Sequence, residues 1–339
     1  MRAIVLQSPL QTTTQEVKID SLRDDFGVLK ILSTGICAAD GYLYSGKHPW
    51  SIEYPIIPGH EIFGEIVELN SSAKDSFCIG DQVTLQVLIP CYLCEPCLNQ
   101  RFNLCLKACH FGSCERGGFA DFIRIPQGAR VHKFEEKVDS EIGALAETFA
   151  NAFFCLDLAN PLPNAKVLIM GLGSIGMSIA HIVSERYPQL DLWGLTSSAW
   201  KRSMFEQLGG RCINGLNDSS ERFTNSFDVV IECSGFESNL EFGLDAIKPG
   251  GRFIQYGVFR DKVSIDFNVF AEFKSINLLG GHLANDDAFE KATVFLGRNA
   301  DRVRKIISQR VSFNDFSDAF HSTNRQKIKT IFVPEGMSR

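Results

Sequence analysis

The stretch Val167-Leu168-Ile169-Met170-Gly171-Leu172-Gly173-Ser174-Ile175-Gly176 constrains this chain more than any other. Its apolar run predicts a buried strand, its glycines a tight turn, and the residues that follow a helix. In such a unit each glycine has its own task. Gly171 permits the turn, Gly173 lets the backbone approach a pyrophosphate, and Gly176 lets helix and strand pack closely. The helix start at Ser174 and Ile175 offers free N–H groups and a partial positive charge to that pyrophosphate. Ile175, Ile179, Ile182 and Val183 recur at helical spacing, so one apolar face is expected. Glycines by themselves are weak evidence; with this strand and this helix they mark a candidate dinucleotide site.

Strands and helices alternate after the turn. Strands are expected at 190–195, 227–232, 252–256 and 278–280, with helices at 199–208 and 240–247 and a turn at Pro249-Gly250-Gly251. That alternation predicts a parallel sheet covered on both faces. Upstream, residues 3–6, 28–32 and 63–69 read as strands, Gly80-Asp81 and Gly117-Gly118 as turns, and 140–158 as helix before Asn160-Pro161. The tail shows helical patterns at 286–297, 300–309 and 314–321, then an extended 329–333, and is expected to fold back onto the first domain. The reading is α/β: a mostly-β domain over 1–148 completed by 286–339, and a doubly wound parallel-sheet domain over 149–285.

A net charge of −6 across 339 residues argues against nucleic acid or an anionic membrane as the main partner. Only four apolar residues follow Met1-Arg2 before Gln7, too few for a signal-peptide core, and no apolar run approaches about 18 residues. A cytoplasmic protein is expected. Eleven cysteines in such a compartment point to metal sooner than to disulfides. Cys91, Cys94, Cys97 and Cys105 are spaced to close a tetrahedron around a structural zinc, the alternatives being an iron–sulfur cluster or free thiols. Cys78, Cys109, Cys114, Cys155, Cys212 and Cys233 read as free thiols, with a ligand role for Cys109 and Cys114 as an alternative. Cys37, His60, Glu61 and Glu147 are further metal-competent residues, although spacing by itself leaves them equally as core and surface.

Taken in order, Gly35-Ile36-Cys37-x-x-Asp40, Gly59-His60-Glu61, Gly80-Asp81-x-Val83, the cysteine lobe, Gly117-Gly118-Phe119-Ala120, Glu147, the glycine turn and Asp228-Val229-Val230-Ile231-Glu232-Cys233-Ser234-Gly235 resemble the zinc-dependent medium-chain alcohol dehydrogenase family across nearly the whole chain. The resemblance implies a GroES-like catalytic domain and a Rossmann domain. It also implies two zinc ions per chain, and a hydride passed between a nicotinamide nucleotide and an alcohol. Cys37 and His60 would hold the catalytic zinc, with Glu61 and Glu147 as carboxylate ligands alternating with water or substrate, and Asp40 would fix His60. Cys233, Ser234, Tyr256 and Gly257 would add nucleotide contacts. Glutamate at 147, where classical alcohol dehydrogenases have cysteine, resembles the polyol and sugar-alcohol branch, and implies a polyol, sugar or sugar-phosphate substrate. Cys-Ala-Ala-Asp at 37–40 is also similar to reductases that make pentitol phosphates. The family's proton-passing Ser or Thr is replaced by Ala39, so Tyr42, Tyr44 or His48, or a water with Glu147, must take that role; Tyr42 is preferred.

An NAD enzyme carries an acidic residue at the end of its second strand to grip the ribose. Here that end is Thr196-Ser197-Ser198, with Lys201 and Arg202 one turn on, while Asp191 falls at the strand's beginning. Small hydroxyls and two cations suit a 2′-phosphate, so NADP(H) is favoured over NAD(H). Other readings are a simple alcohol or aldehyde dehydrogenase, and a nucleotide-binding scaffold or sensor that lost its chemistry. A homodimer or homotetramer through the edges of the nucleotide-binding sheets is expected from the resemblance.

Overall fold

The computed structural model describes residues 1–19, 25–49, 51–215, 218, 220–321 and 326–334. The chain divides into two compact units, Met1–Ala150 with Ala284–Arg339, and Asn151–Leu283.

The first unit opens on an antiparallel hairpin, β1 (Arg2–Ser8) and β2 (Gln11–Glu16). The strand β3 (Gly27–Ile36) runs into helix α1 (Ala38–Tyr44), followed by β4 (Glu61–Leu69), β5 (Gln82–Leu85) and β6 (Leu88–Ile89). A cysteine-rich lobe holds α2 (Glu95–Leu98) and β7 (Cys109–His110). Cys109 and Cys114 are joined in a disulfide with Cα atoms 5.5 Å apart, which corrects their reading as free thiols or metal ligands. Then come β8 (Phe122–Ile125), β9 (Val131–Lys133), α3 (Ser140–Gly143) and α4 (Ala146–Ala159). The single helix expected over 140–158 is thus two. Gly143, a poor helix former, closes the first, and its missing Cβ leaves room for the Phe63 ring.

The second unit contains β10 (Lys166–Met170), α5 (Ser174–Arg186), β11 (Asp191–Leu195), α6 (Ala199–Gln207), β12 (Arg211–Ile213), β13 (Phe227–Glu232), α7 (Glu237–Ala246), β14 (Ile247–Gln255) and β15 (Asn277–Gly280). All its pairings are parallel, in the order β12-β11-β10-β13-β14-β15. Val167, Leu168, Ile169 and Met170 are each 0% exposed, as a strand covered on both faces requires. The order reverses between β10 and β13, where open α/β sheets bind ligands beyond the strands' carboxyl ends. Helix α5 departs from the expected single apolar face: it is buried throughout Gly176 to Val183, with Gly176, Ser178 and Ala180 small enough to be covered too. Strand β14 likewise begins earlier than its pattern, because Ile247 already pairs with Phe227 ahead of the glycine turn.

The tail returns to the first unit through α8 (Asp286–Val303), β16 (Ile307–Val311), α9 (Asp318–His321) and β17 (Lys329–Phe332). The helix expected over 300–309 ends at a short 3₁₀ turn and becomes β16, because pairing with β17 overrides the local pattern. The full sheet runs β16-β17-β3-β4-β5-β9, with β8 also paired to β3. Asp286 at the start of α8 binds Gln86 and Arg130, and Phe289 stacks on His132 at 4.9 Å. Burial pushes the His132 imidazole down to about 4. Among the described residues no helix is long and apolar enough to cross a membrane.

Candidate active site

Cys37 stands where β3 turns into α1, His60 immediately precedes β4, and Glu61 opens it. One donor atom from each of these three lies within 4.8 Å of the others. Gly59, at φ +96°, takes the left-handed conformation that turns the chain into His60. Buried Asp40 accepts the Cys37 N–H at 2.8 Å and lies 3.5 Å from His60 Nδ1. One carboxylate therefore orients two of the donors, as supports of metal ligands do. Burial works against an imidazolium at His60, yet Asp40 and Cys37 outweigh it and raise its pKa well above the usual value. The same negative field favours a cation. Thiolate, imidazole and carboxylate form a donor set suited to zinc, and three protein ligands leave a position open for substrate.

Glu147 is buried in the first turn of α4 but lies outside that three-residue group. Its neighbour Thr148 donates from Oγ1 to Glu61 Oε2 at 3.4 Å. The same oxygen is paired with Lys329 of β17. Burial lowers the Lys329 pKa, but Glu61, Cys37 and Glu147 outweigh burial and raise it. Neither Thr148 nor Lys329 was marked by the sequence; a lysine in an otherwise uncharged closing strand was the available signal. Of the relay candidates, Tyr44 is core, stacked on Phe320 at 4.6 Å. Tyr42 is half-buried on α1, as is His48 in the loop that follows.

In the cysteine lobe, the donors of Cys91, Cys94, Cys97 and Cys105 all lie within 4.8 Å of one another. Cys94 Sγ is 3.4 Å from that of Cys97 and 3.9 Å from that of Cys105. A tetrahedron with 2.3 Å bonds has edges of about 3.8 Å, so these thiols fit one zinc ion. An iron–sulfur cluster, with several atoms inside the thiolate shell, would hold them further apart. Backbone N–H groups of Leu93 and Cys94 lower the Cys91 thiol to about 6, while burial pushes Cys97 up to about 12. With all four positions filled by sulfur, the site is structural.

In the second unit Gly171 adopts φ +91°, and a Cβ there would stand 2.7 Å from Ser234 Cβ. Gly173 caps α5, leading into Ser174 and Ile175, and nothing lies within 4 Å of where its Cβ would be. That open face suits the close approach of a pyrophosphate. A Cβ on Gly176 would overlap the Gly171 carbonyl oxygen. Cys233, Ser234, Tyr256 and Gly257 gather at the carboxyl ends of β13 and β14 around Glu232, which is 0% exposed. Glu232 accepts Ser234 N–H at 2.7 Å, Gly235 N–H at 3.1 Å and Gln255 Nε2 at 3.0 Å. It was missed as an organiser, although a carboxylate ending an apolar strand was a visible signal. Tyr256 donates its hydroxyl to Asn151 at 2.5 Å.

Thr196 Oγ1 accepts from Ser198 N–H at 3.2 Å, Ser198 caps α6, and Ser197 is exposed. Lys201 and Arg202 are half-buried in the first turn of α6, and burial lowers the Lys201 pKa. Arg202 Nη1 is buried with no hydrogen-bond partner among the described residues. Asp191 opens β11, far from this end, and is engaged by Trp193 Nε1 at 3.0 Å and Arg211 at 3.3 Å.

Residues 24–136 match the alcohol dehydrogenase GroES-like domain, and residues 158–333 match the glucose dehydrogenase C-terminus. An erythritol/L-threitol dehydrogenase of Mycolicibacterium smegmatis is 26% identical over 302 residues, covering 84% of this chain and 83% of that one. An L-threonine 3-dehydrogenase of Pyrococcus furiosus is 32% identical over 266 residues, or 75% and 74% of the two chains. The solved structure of a Sinorhizobium meliloti protein, named only by its class as a zinc-binding dehydrogenase and bound to NADP, aligns with a TM-score of 0.89 at 25% identity, covering 98% of this chain and 99% of that one. Matched domains in this order, on a fold and two donor sets that agree with them, place the chain in the zinc-dependent medium-chain alcohol dehydrogenase family, whose reaction is NAD(P)-dependent.

Proposed function

We propose that the protein interconverts a secondary alcohol and its ketone on a polyol, sugar or sugar phosphate, with NADP(H) preferred over NAD(H). Glu147 carries the substrate reading: a buried carboxylate stands where the simple alcohol dehydrogenases place a thiolate. The M. smegmatis relative, named for two tetritols, supports it.

Cys37, His60 and Glu61 would hold a zinc ion, which would supply Lewis acidity toward a bound alcohol or ketone. Asp40 keeps His60 oriented, and Glu147 would serve as an exchangeable carboxylate ligand. With Ala39 unable to pass a proton, Tyr42 carries it outward. On the nucleotide side, the glycine turn and α5 hold the pyrophosphate, Glu232 keeps the Cys233–Ser234 turn in shape, and Thr196, Ser197, Ser198, Lys201 and Arg202 take the 2′-phosphate. The Arg202 N–H left without a partner among the described residues, the engagement of Asp191 elsewhere and the NADP of the Sinorhizobium relative support that choice. The chain acts in the cytoplasm as a homodimer or homotetramer. Self-association is supported by the edge position of β15, where Leu278 is 44% exposed.

The test is absorbance at 340 nm with NADPH and NADH in parallel, against ketoses and ketose phosphates, polyols in the reverse direction, and L-threonine, each with and without a chelator. Chelator-sensitive NADPH oxidation by one ketose or ketose phosphate is expected. Turnover of L-threonine alone overturns the substrate reading, and activity confined to NADH overturns the nucleotide reading.

A further inference from the structure

Lys329 and Glu61 form an ion pair whose side chains are each 2% exposed. Burying two charges is costly, and such pairs are poor sources of stability, so their place in the fold calls for another explanation. Three adjacent strands bring them together. Ile331 of β17 lies opposite Gly35 of β3, and Gly35 opposite Glu61 of β4. Thr330 faces Ile36, which sets Lys329 beside Cys37 in the continuing register. Residues two apart on a strand share a face, so Lys329 and Ile331 point the same way, as do Gly35 and Cys37.

The Glu61 side chain crosses this face over Gly35, where any Cβ would overlap its Oε2. The Thr148 hydroxyl meets that same oxygen at 3.4 Å. An absent side chain, a hydroxyl and an ammonium thus converge on one oxygen of a residue that is also one of the three clustered metal donors. Charge points the same way. Buried Asp40, Glu61 and Glu147 crowd acidic groups around Cys37 and His60, and Lys329 sets a buried ammonium against them.

We propose that Lys329 is a positioning residue that restrains Glu61. By holding Oε2 it weakens Glu61 as a metal ligand and keeps the remaining coordination position available to substrate. Without it, Glu61 closes on the metal. The inference rests on the reading of Cys37, His60 and Glu61 as a zinc site.

The experiment uses the full-length protein loaded with zinc, and follows transfer of the metal to a colorimetric chelator in wild type, Lys329→Met and Lys329→Arg. The cysteine-lobe zinc serves as an internal reference. In Lys329→Met the other zinc is expected to leave at least about tenfold more slowly, the scale on which outer partners of metal ligands act. The reference phase stays unchanged and Lys329→Arg behaves like wild type. Cobalt substitution reads the same event, as a changed visible spectrum in Lys329→Met. Equal or faster zinc release from folded Lys329→Met, with an unchanged cobalt spectrum, overturns the proposal. If that variant does not accumulate folded, Lys329→Met is combined with Glu61→Gln. The double variant must then release zinc at the rate of Glu61→Gln by itself, and any further change refutes the role. A wild-type protein that holds one zinc per chain instead refutes the zinc-site reading, which separates the two failures.

Discussion

Replacing Arg202 by Met keeps length and apolar contact while removing the guanidinium that would meet a nucleotide 2′-phosphate. Its Nη1 is buried and lacks a hydrogen-bond partner among the described residues, so a phosphate oxygen would gain a donor already stripped of water. A hydrogen bond to a charged group is worth about 1.5–3 kcal/mol, which corresponds to roughly 10- to 150-fold in kcat/KM for NADPH. NADH lacks the phosphate and should change by no more than about twofold. Lys201 is half-buried and its neighbouring α6 backbone is already capped by Ser198, so Lys201→Met should cost less, about 0.2–1 kcal/mol. Steady-state kinetics with both nucleotides at a saturating concentration of the other substrate gives the ratio directly. Thermal unfolding adds a control: with no bond lost in the free protein, Arg202→Met should not lower Tm by the amount a broken buried hydrogen bond would. Equal losses with NADPH and NADH, or an unchanged NADPH value, would refute the assignment.

Two other outcomes follow from the site and its supports. His132 is buried and held neutral, with a pKa of about 4 against about 6.5 when unfolded, so the unfolded chain binds the extra proton between these values. Stability from this residue is complete above pH 6.5 and falls as pH drops toward 4, by about 3 kcal/mol at most. Denaturant titrations should show this acid limb, flattened in His132→Gln; parallel curves for the two proteins would contradict it. Tyr42→Phe removes the proposed proton carrier and should lower turnover at neutral pH by about 100-fold or more while leaving nucleotide binding intact. Unchanged turnover removes Tyr42 from the relay.

Features encoded within a few consecutive residues were legible in the sequence. The glycine turn needs only an apolar strand, three glycines and a helix start, and the zinc lobe only four cysteines in fifteen positions, because local geometry suffices to bring such groups together. The order of the β-strand and helix signals likewise fixed the parallel sheet, since short connections leave few alternatives. Partners distant in the chain were not legible. The Glu61–Lys329 pair exists because β17 adds to β3 in one register, and a slip of one residue would turn Lys329 to the other face. The same non-local pairing made a strand of 307–311 where the helical pattern ran on to 309, and the packed ends of β13 and β14 showed how many hydrogen bonds Glu232 gathers. Sequence by itself determined which chemical groups were present and which local units they formed. Tertiary structure decided which charges face one another, because strand register and burial act between residues that the chain keeps far apart.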